Sequence, residues 1–191
     1  MSRAYVRDQK YEGVNFITGG LNKGGEYEGC VFSACNFSGV DLSGMVFIDC
    51  RFEQCDLSMA KLPNTSFQDV HFKKCKQLGL RFDECSKMIL SFSFDACTLN
   101  LSVFFGLKLK GVKLKDCQLR EVDFGGCDLT QADFSGSDLD RALFENTVLE
   151  GADFRTAYNF SIDPEMNKVR KARFSVHGLA GLLGKYQVVI E

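Results

Sequence analysis

Nine cysteines, two histidines and a recurrent aspartate are the residues of this chain whose types could do chemistry. Cysteines paired at C-x2-4-C with further Cys or His would hold zinc, a thiol beside a base would be a nucleophile, and two close carboxylates would move protons. The spacing argues against a metal centre. Cys30, Cys35, Cys50, Cys55, Cys75, Cys85, Cys97, Cys117 and Cys127 lie at multiples of five within each stretch of constant register. His71 and His177 are far apart, and neither stands beside an evident nucleophile in a known motif. The chain has no Walker-type phosphate loop, no dinucleotide fingerprint after a strand, no HExxH and no GxSxG. Asp41, Asp56, Asp123, Asp128, Asp133, Asp138 and Asp153 are the nearest approach to a carboxylate cluster. In a repeat, such residues ordinarily hydrogen-bond locally at turns.

What must position these residues is a period of five. Between Asp116 and Phe154 the residues Leu119, Phe124, Leu129, Phe134, Leu139, Phe144, Leu149 and Phe154 recur without exception, each preceded two residues earlier by Cys117, Val122, Cys127, Ala132, Ser137, Ala142, Thr147 or Ala152. A large apolar residue thus occupies lattice position i and a small one i−2, while the aspartates stand at i−1. Five matches neither a helix nor a flat strand and describes a unit that repeats and turns. The lattice extends upstream through Tyr27, Phe32, Phe37, Leu42 and onward to Phe92. It shifts by one residue after the Gly-rich segment Asn22 to Glu26, and by two in an irregular joint between Gln77 and Phe94.

Because i and i−2 share a face of an extended strand, each unit is a short strand followed by a corner. Four units close a square coil of twenty residues, and stacked coils exchange backbone hydrogen bonds at about 4.8 Å. Gly29, Gly39, Gly44, Gly79, Gly106, Gly111, Gly126, Gly136 and Gly151 all stand at i+2, where the corner wants a positive φ. All but Phe105 and Phe160 of the eighteen Phe fall on the lattice, so their rings form the axis of the rod. The cysteines point inward beside them as small core residues, interchangeable with the Ala, Val, Ser and Thr of other units.

The formal net charge of −2 gives no global argument for nucleic acid or membrane, and no cofactor is implied. Local charge is uneven. Lys61 to Lys115 holds ten basic and four acidic residues, whereas Asp116 to Asp163 holds eleven acidic and three basic. The acidic stretch on a rigid rod could imitate duplex phosphates, which follow one another every ~1.7 Å of axis; a solvated repeat surface is the plain alternative. The absence of a signal-like apolar run at the start, or of any long apolar span, reads as a cytoplasmic protein. Residues 1–174 form the solenoid. Ser175 then N-caps a short amphipathic helix from Val176 to about Tyr186, weakened by Gly178, Gly181 and Gly184, with a brief strand from Gln187 to Ile190. Residues 175–191 are a cap over the last coil or a dimer contact.

The motifs ADF (Ala132 to Phe134, Ala152 to Phe154), CDL (Cys55 to Leu57, Cys127 to Leu129) and SDL (Ser137 to Leu139) match the A(D/N)LXX consensus of pentapeptide repeat proteins. The chain therefore resembles that family, which implies an all-β solenoid, a right-handed quadrilateral β-helix. From Leu99 onward, and above all in YNFSIDPEMNKVRKARFSVHGLAGLLGKYQVVIE, it looks like the albicidin-resistance, microcin-immunity and Qnr quinolone-resistance group. That resemblance implies a non-enzymatic, cytoplasmic homodimer that binds DNA gyrase or topoisomerase IV in place of DNA, without itself binding nucleic acid, and shields it from drugs or toxins. The partner surface would then be Asp123, Asp128, Asp133, Asp138, Asp140, Glu145, Glu150 and Asp153. The dimer contacts would be Leu179, Leu182, Leu183, Tyr186 and Val188. An adaptor role with another protein partner is the alternative, its interface being the basic band between residues 61 and 115.

Overall fold

The computed structural model describes residues 4–189. Its chain winds as a parallel β-solenoid with four flat faces, here numbered I to IV in chain order. Face I carries β1 (Tyr5–Arg7), then β3 (Glu26–Glu28), β5 (Val46–Ile48) and β7 (Ser66–Gln68). Face II carries β2 (Lys10–Glu12), β4 (Val31–Ser33), β6 (Arg51–Glu53), β8 (Val70–Lys73), β9 (Phe92–Asp95) and β10 (Lys113–Lys115). Faces III and IV, and every face beyond Lys115, have single-residue bridges in place of longer strands. All pairings are parallel and stack equivalent lattice positions: Phe32 on Phe52 and Phe52 on Phe72 at i, Asp123 on Leu143 at i−1.

The register shows where the lattice slips. Tyr5 pairs with Glu26, a coil of twenty-one residues, and Val70 with Phe92, a coil of twenty-two. The second irregularity is narrower than the sequence suggests. Backbone bonds from Asn64 to Glu84 and from Ser86 to Thr65 keep the first part of that coil in register. The next contact of Ser91 is to Phe67, so the two extra residues bulge outward between Ser86 and Ser91, carrying Met88 at 91% exposure.

Inside, aromatic rings stack along columns rather than filling the core at random. Face II contributes Tyr11, Phe32, Phe52, Phe72 and Phe94, with successive centroids 4.9, 4.7, 5.1 and 5.2 Å apart and planes within 22° of parallel. After Leu114 the column resumes through Phe134, Phe154 and Phe174. A second column, Phe82, Phe104, Phe124 and Phe144, rises behind face IV. Offset stacking of buried rings adds to the ~25 cal/mol per Å² of apolar burial that drives folding.

The tail follows the last coil as two 3-10 pieces, Val176–Leu182 and Gly184–Tyr186, where an ordinary amphipathic helix was expected. The reason is Phe160, off the lattice in sequence but buried on Phe154 and Phe174 at the open end of the core. A β-carbon at Gly181 would collide with its carbonyl and ring, and one at Gly178 would lie 3.0 Å from the ring. Glycine every third residue lets the backbone press on Phe160, and a repeat of three residues is that of the 3-10 helix. Ser175 caps the first piece through Gly178 N–H. Gln187, Val188 and Val189 form no strand, and Ile190 lies outside the described residues.

Candidate partner-binding surface

The cysteines are core residues with a polar task. All nine are buried and unpaired by disulfides. The thiols of Cys50, Cys55, Cys75, Cys97 and Cys127 donate to the carbonyl oxygens of Tyr27, Phe32, Phe52, Phe72 and Phe104, the lattice residues of the preceding coil. Thr65, Ser102, Ser137, Thr147 and Asn167 do the same through oxygen or amide donors to Leu42, Gln77, Leu114, Phe124 and Phe144. Small donors at i−2 are therefore exchangeable because each satisfies a buried carbonyl. Burial pushes the Cys50 and Cys127 thiols up to about 12, which suppresses the thiolate needed for nucleophilic or metal chemistry. Among the described residues no group of three or more His, Cys, Asp or Glu could hold a metal ion.

The structure gives His71 a neighbour that the sequence did not reveal. Ser93, directly above it on face II, places Oγ 2.6 Å from Nδ1. Asp69, two residues earlier, accepts instead from Ser91 Oγ at 2.7 Å, so it does not orient the imidazole. The pair lies on an exposed flat face.

The aspartates at i−1 are turn residues. Asp41, Asp56, Asp123, Asp128, Asp133, Asp138 and Asp153 each accept the N–H of i+1: Ser43, Ser58, Gly125, Thr130, Ser135, Asp140 and Arg155. Most of those in the acidic stretch are also neutralised. Asp128 meets Lys110 at 3.5 Å, Asp133 meets Lys115 at 3.0 Å, and Asp138, only 3% exposed, meets Arg120 at 2.7 Å. Asp153 binds Arg155 at 2.8 Å and Arg173 at 2.9 Å. Burial alone would raise the carboxyls of Asp128, Asp133 and Asp138. Hydrogen bonds from Thr130, Ser135, Lys115, Asn159 and Arg120 outweigh it and hold them below the usual range. At Asp153 the Arg155 guanidinium is the leading cause of the same shift.

The expected acidic surface is therefore dispersed. Asp123 lies on face IV, Asp128 on face I, Asp133 and Asp153 on face II, and Asp138 on face III. Arg141 reaches both Glu121 and Asp140. Asp116, Asp123, Glu145 and Glu150 make no ion pair among the described residues, and two of them, Asp123 and Glu145, share face IV.

Twenty-residue coils, inward Phe or Leu at i, small donors at i−2 and Asx turns at i−1 are the structural content of one repeat. Two family models recognise it: pentapeptide repeats in eight copies over residues 30–69, and a pentapeptide repeat region over residues 81–154, together more than half of the chain. The chain belongs to the pentapeptide repeat family. Solved pentapeptide repeat folds match it nearly end to end. One is a trypsin-treated form of QnrB1, described as a plasmid-mediated fluoroquinolone resistance protein, with a TM-score of 0.62 and 20% identity over 99% of this chain and 98% of that one. Another is HetL of the cyanobacterium Nostoc, described as involved in regulating heterocyst differentiation, with a TM-score of 0.60 and 15% identity over 92% and 88%. At these identities the likeness is one of fold. A search of curated protein sequences finds no match.

Sequence reasoning missed two apolar features of this pentapeptide repeat rod. Phe105 and Leu143, 57% and 53% exposed, stand on face IV, and Met88 with Ile89 tips the bulge on face I. Phe105 carried a signal, being a Phe outside the lattice. Of the tail residues, Leu182 packs against the core while Leu179, Leu183, Tyr186 and Val188 are exposed. Tyr186 donates to Glu165, and Lys185 pairs with Asp163 and Glu165, tying the tail to the loop beneath it. No helix among the described residues is long and apolar enough to cross a membrane.

Proposed function

We propose that the protein is a non-enzymatic binding rod whose partner is a type II topoisomerase, DNA gyrase or topoisomerase IV, which it shields from a drug or toxin by occupying the place of DNA. The observation that carries this reading is the end-to-end match to QnrB1 across nearly the full length of both chains. The acidic coils from Asp116 to Asp163 give the imitation a charge of the right sign. With Asp128, Asp133, Asp138 and Asp153 already paired to Lys or Arg, shape supplies most of the imitation. The protein acts in the cytoplasm as a homodimer joined through the exposed tail residues Leu179, Leu183, Tyr186 and Val188. A supercoiling assay with purified gyrase tests the partner: the protein should inhibit gyrase or rescue it from a quinolone or albicidin, and neither effect would refute the reading. Leu183→Glu should convert a dimer to a monomer by light scattering, since Leu183 is exposed and the lid contact of Leu182 is left in place.

A second reading, an adaptor with a different protein partner, is favoured by the bulge. Lys87 and Lys108 flank Met88 and Leu90 around a hollow of about 470 Å³, and neither lysine has an acidic partner among the described residues. Loss of gyrase binding on charge reversal of both lysines would count against that reading, because the bulge would then belong to the gyrase interface.

A further inference from the structure

Face IV between Leu101 and Asn146 differs from the other faces of the acidic coils in three coincident ways. First, its carboxylates lack ion-pair partners among the described residues: Asp123 spends one oxygen on Gly125 N–H at 2.8 Å, and Glu145 makes neither hydrogen bond nor ion pair through its side chain there. Second, it is apolar, with Val103 below Asp123 and Leu143 above it in one column, and Phe105 in the neighbouring column. Third, it has a floor without side chains. Gly125 is buried beneath the Phe105 ring, where a β-carbon would lie 3.1 Å from the ring edge, and Gly126 sits beside it. Phe105, Leu143, Asp123, Glu145 and this glycine floor bound a hollow of about 210 Å³.

We infer that this hollow is a docking site for an arginine side chain carried beside an apolar residue on a partner protein. An exposed aromatic face, two free carboxylates and an apolar wall are the groups that a guanidinium plane engages together, by stacking and by paired charge-assisted hydrogen bonds. Space suffices, since a cavity of about 150 Å³ already admits benzene. Lysine, a compact and strongly hydrated point charge, gains less from the ring and the planar floor. The site rests on the reading of this protein as a binding rod, and it holds whether or not the partner is a topoisomerase.

The test uses acetyl-Leu-Arg-Leu-amide as the probe, titrated into isotopically labelled full-length protein and followed by amide chemical shifts. Saturable shifts should appear at Phe105, Gly125, Gly126 and Leu143. The Leu-Lys-Leu counterpart should bind several-fold more weakly. Phe105→Ser, which removes a half-exposed ring and uncovers Gly125, should abolish the peptide-induced shifts while leaving resonances away from face IV in place. Glu145→Gln should weaken binding about tenfold, the loss of one charge-assisted pair. Glu53→Gln, on face II and outside the acidic coils, should change nothing and serves as the control. Absent shifts, shifts spread over every acidic corner, or shifts that persist in Phe105→Ser would overturn the assignment. A wild-type protein that binds the tripeptide at this site but ignores gyrase would refute the topoisomerase partner and leave the site standing.

Discussion

The coils before Lys115 and those after it share a period of five but turn their corners differently. In the first region, faces I and II run as three- or four-residue strands, and their i−1 positions hold Lys10, Glu26, Val31, Val46, Arg51, Ser66, His71, Ser93 and Lys113. In the second, corners on all four faces close on themselves. Val122 N–H donates to Leu119, Cys127 to Phe124, Ala132 to Leu129, Ser137 to Phe134 and Ala142 to Leu139. Asp123, Asp128, Asp133 and Asp138 occupy i−1 there. A carboxylate at i−1 captures the N–H of i+1 and braces a tight turn, although the same turn also closes over Val103, Lys108, Gln118 and Val148 at i−1. The same aspartates that look like a functional cluster thus serve, in the main, to brace corners through the N–H of i+1.

The largest effect tests whether the core beneath the two kinds of corner is common to both. Phe52 and Phe134 occupy the same column behind face II, one in each region, and both are fully buried. Each change to Ala should cost ~3 to 5 kcal/mol in a denaturant melt. Costs that differ by more than the spread between core sites would show that corner type, and not the ring column, sets local stability.

Acid should separate the regions. The carboxyls of Asp128, Asp133, Asp138 and Asp153 are depressed in the folded protein, so they add stability above the unfolded value of 3.8 and lose it as the pH falls through their lower folded values. All four lie beyond Lys115. Hydrogen exchange near pH 3 should therefore show the coils after Asp116 losing protection before β4, β6 and β8, and the reverse order would break the link between Asx turns and acid sensitivity. Asp153→Asn should reproduce part of this loss at neutral pH, about 1 to 2 kcal/mol, because the turn acceptor survives and the negative charge that pairs with Arg155 and Arg173 does not.

How much of this could be seen in the sequence follows from which interactions are local. Phe and Leu at i, glycine at i+2 and the aspartate at i−1 act within one repeat, so the coil, its corners and both register shifts could be read directly. The pairing of Asp138 with Arg120, or of Asp133 with Lys115, joins adjacent coils across eighteen residues of sequence. A count of charge along the chain treats these as opposed blocks, while folding stacks the end of the basic band on the start of the acidic one. The proposed docking hollow is not visible in sequence for the same reason: Phe105, Asp123, Leu143 and Glu145 meet only when three coils are superposed.

A smaller effect concerns the first region, just before its bulge. Gln77 stands at i on face III between Leu57 and Leu99, buried, and neither its amide nitrogen nor its amide oxygen has a partner among the described residues. An unsatisfied amide costs about 1 to 3 kcal/mol, so Gln77→Leu should raise stability by ~1 to 2 kcal/mol. A destabilised variant would mean that the amide has a role in setting the wider coil that follows.

The smallest effect separates the two corner types within a single coil. Ala34, at the end of β4, has φ of 51°, and Gly39, at the next corner, has φ of 67°. Both are exposed, and both N–H groups donate to the next coil, to Glu53 and Ser58. A β-carbon at Gly39 would meet nothing within 4 Å, so packing does not enter. What remains is the cost of holding an L-residue left-handed, ~1 to 2 kcal/mol, against the entropy that glycine loses on folding, ~0.5 to 1 kcal/mol. Ala34→Gly should therefore stabilise by ~0.5 kcal/mol and Gly39→Ala destabilise by about the same, as measured by paired melts. If Ala34→Gly were destabilising instead, the strand corner would be drawing on the stiffness of a side chain that the tight turn does not need. The extended faces of the first region would then owe part of their shape to backbone rigidity.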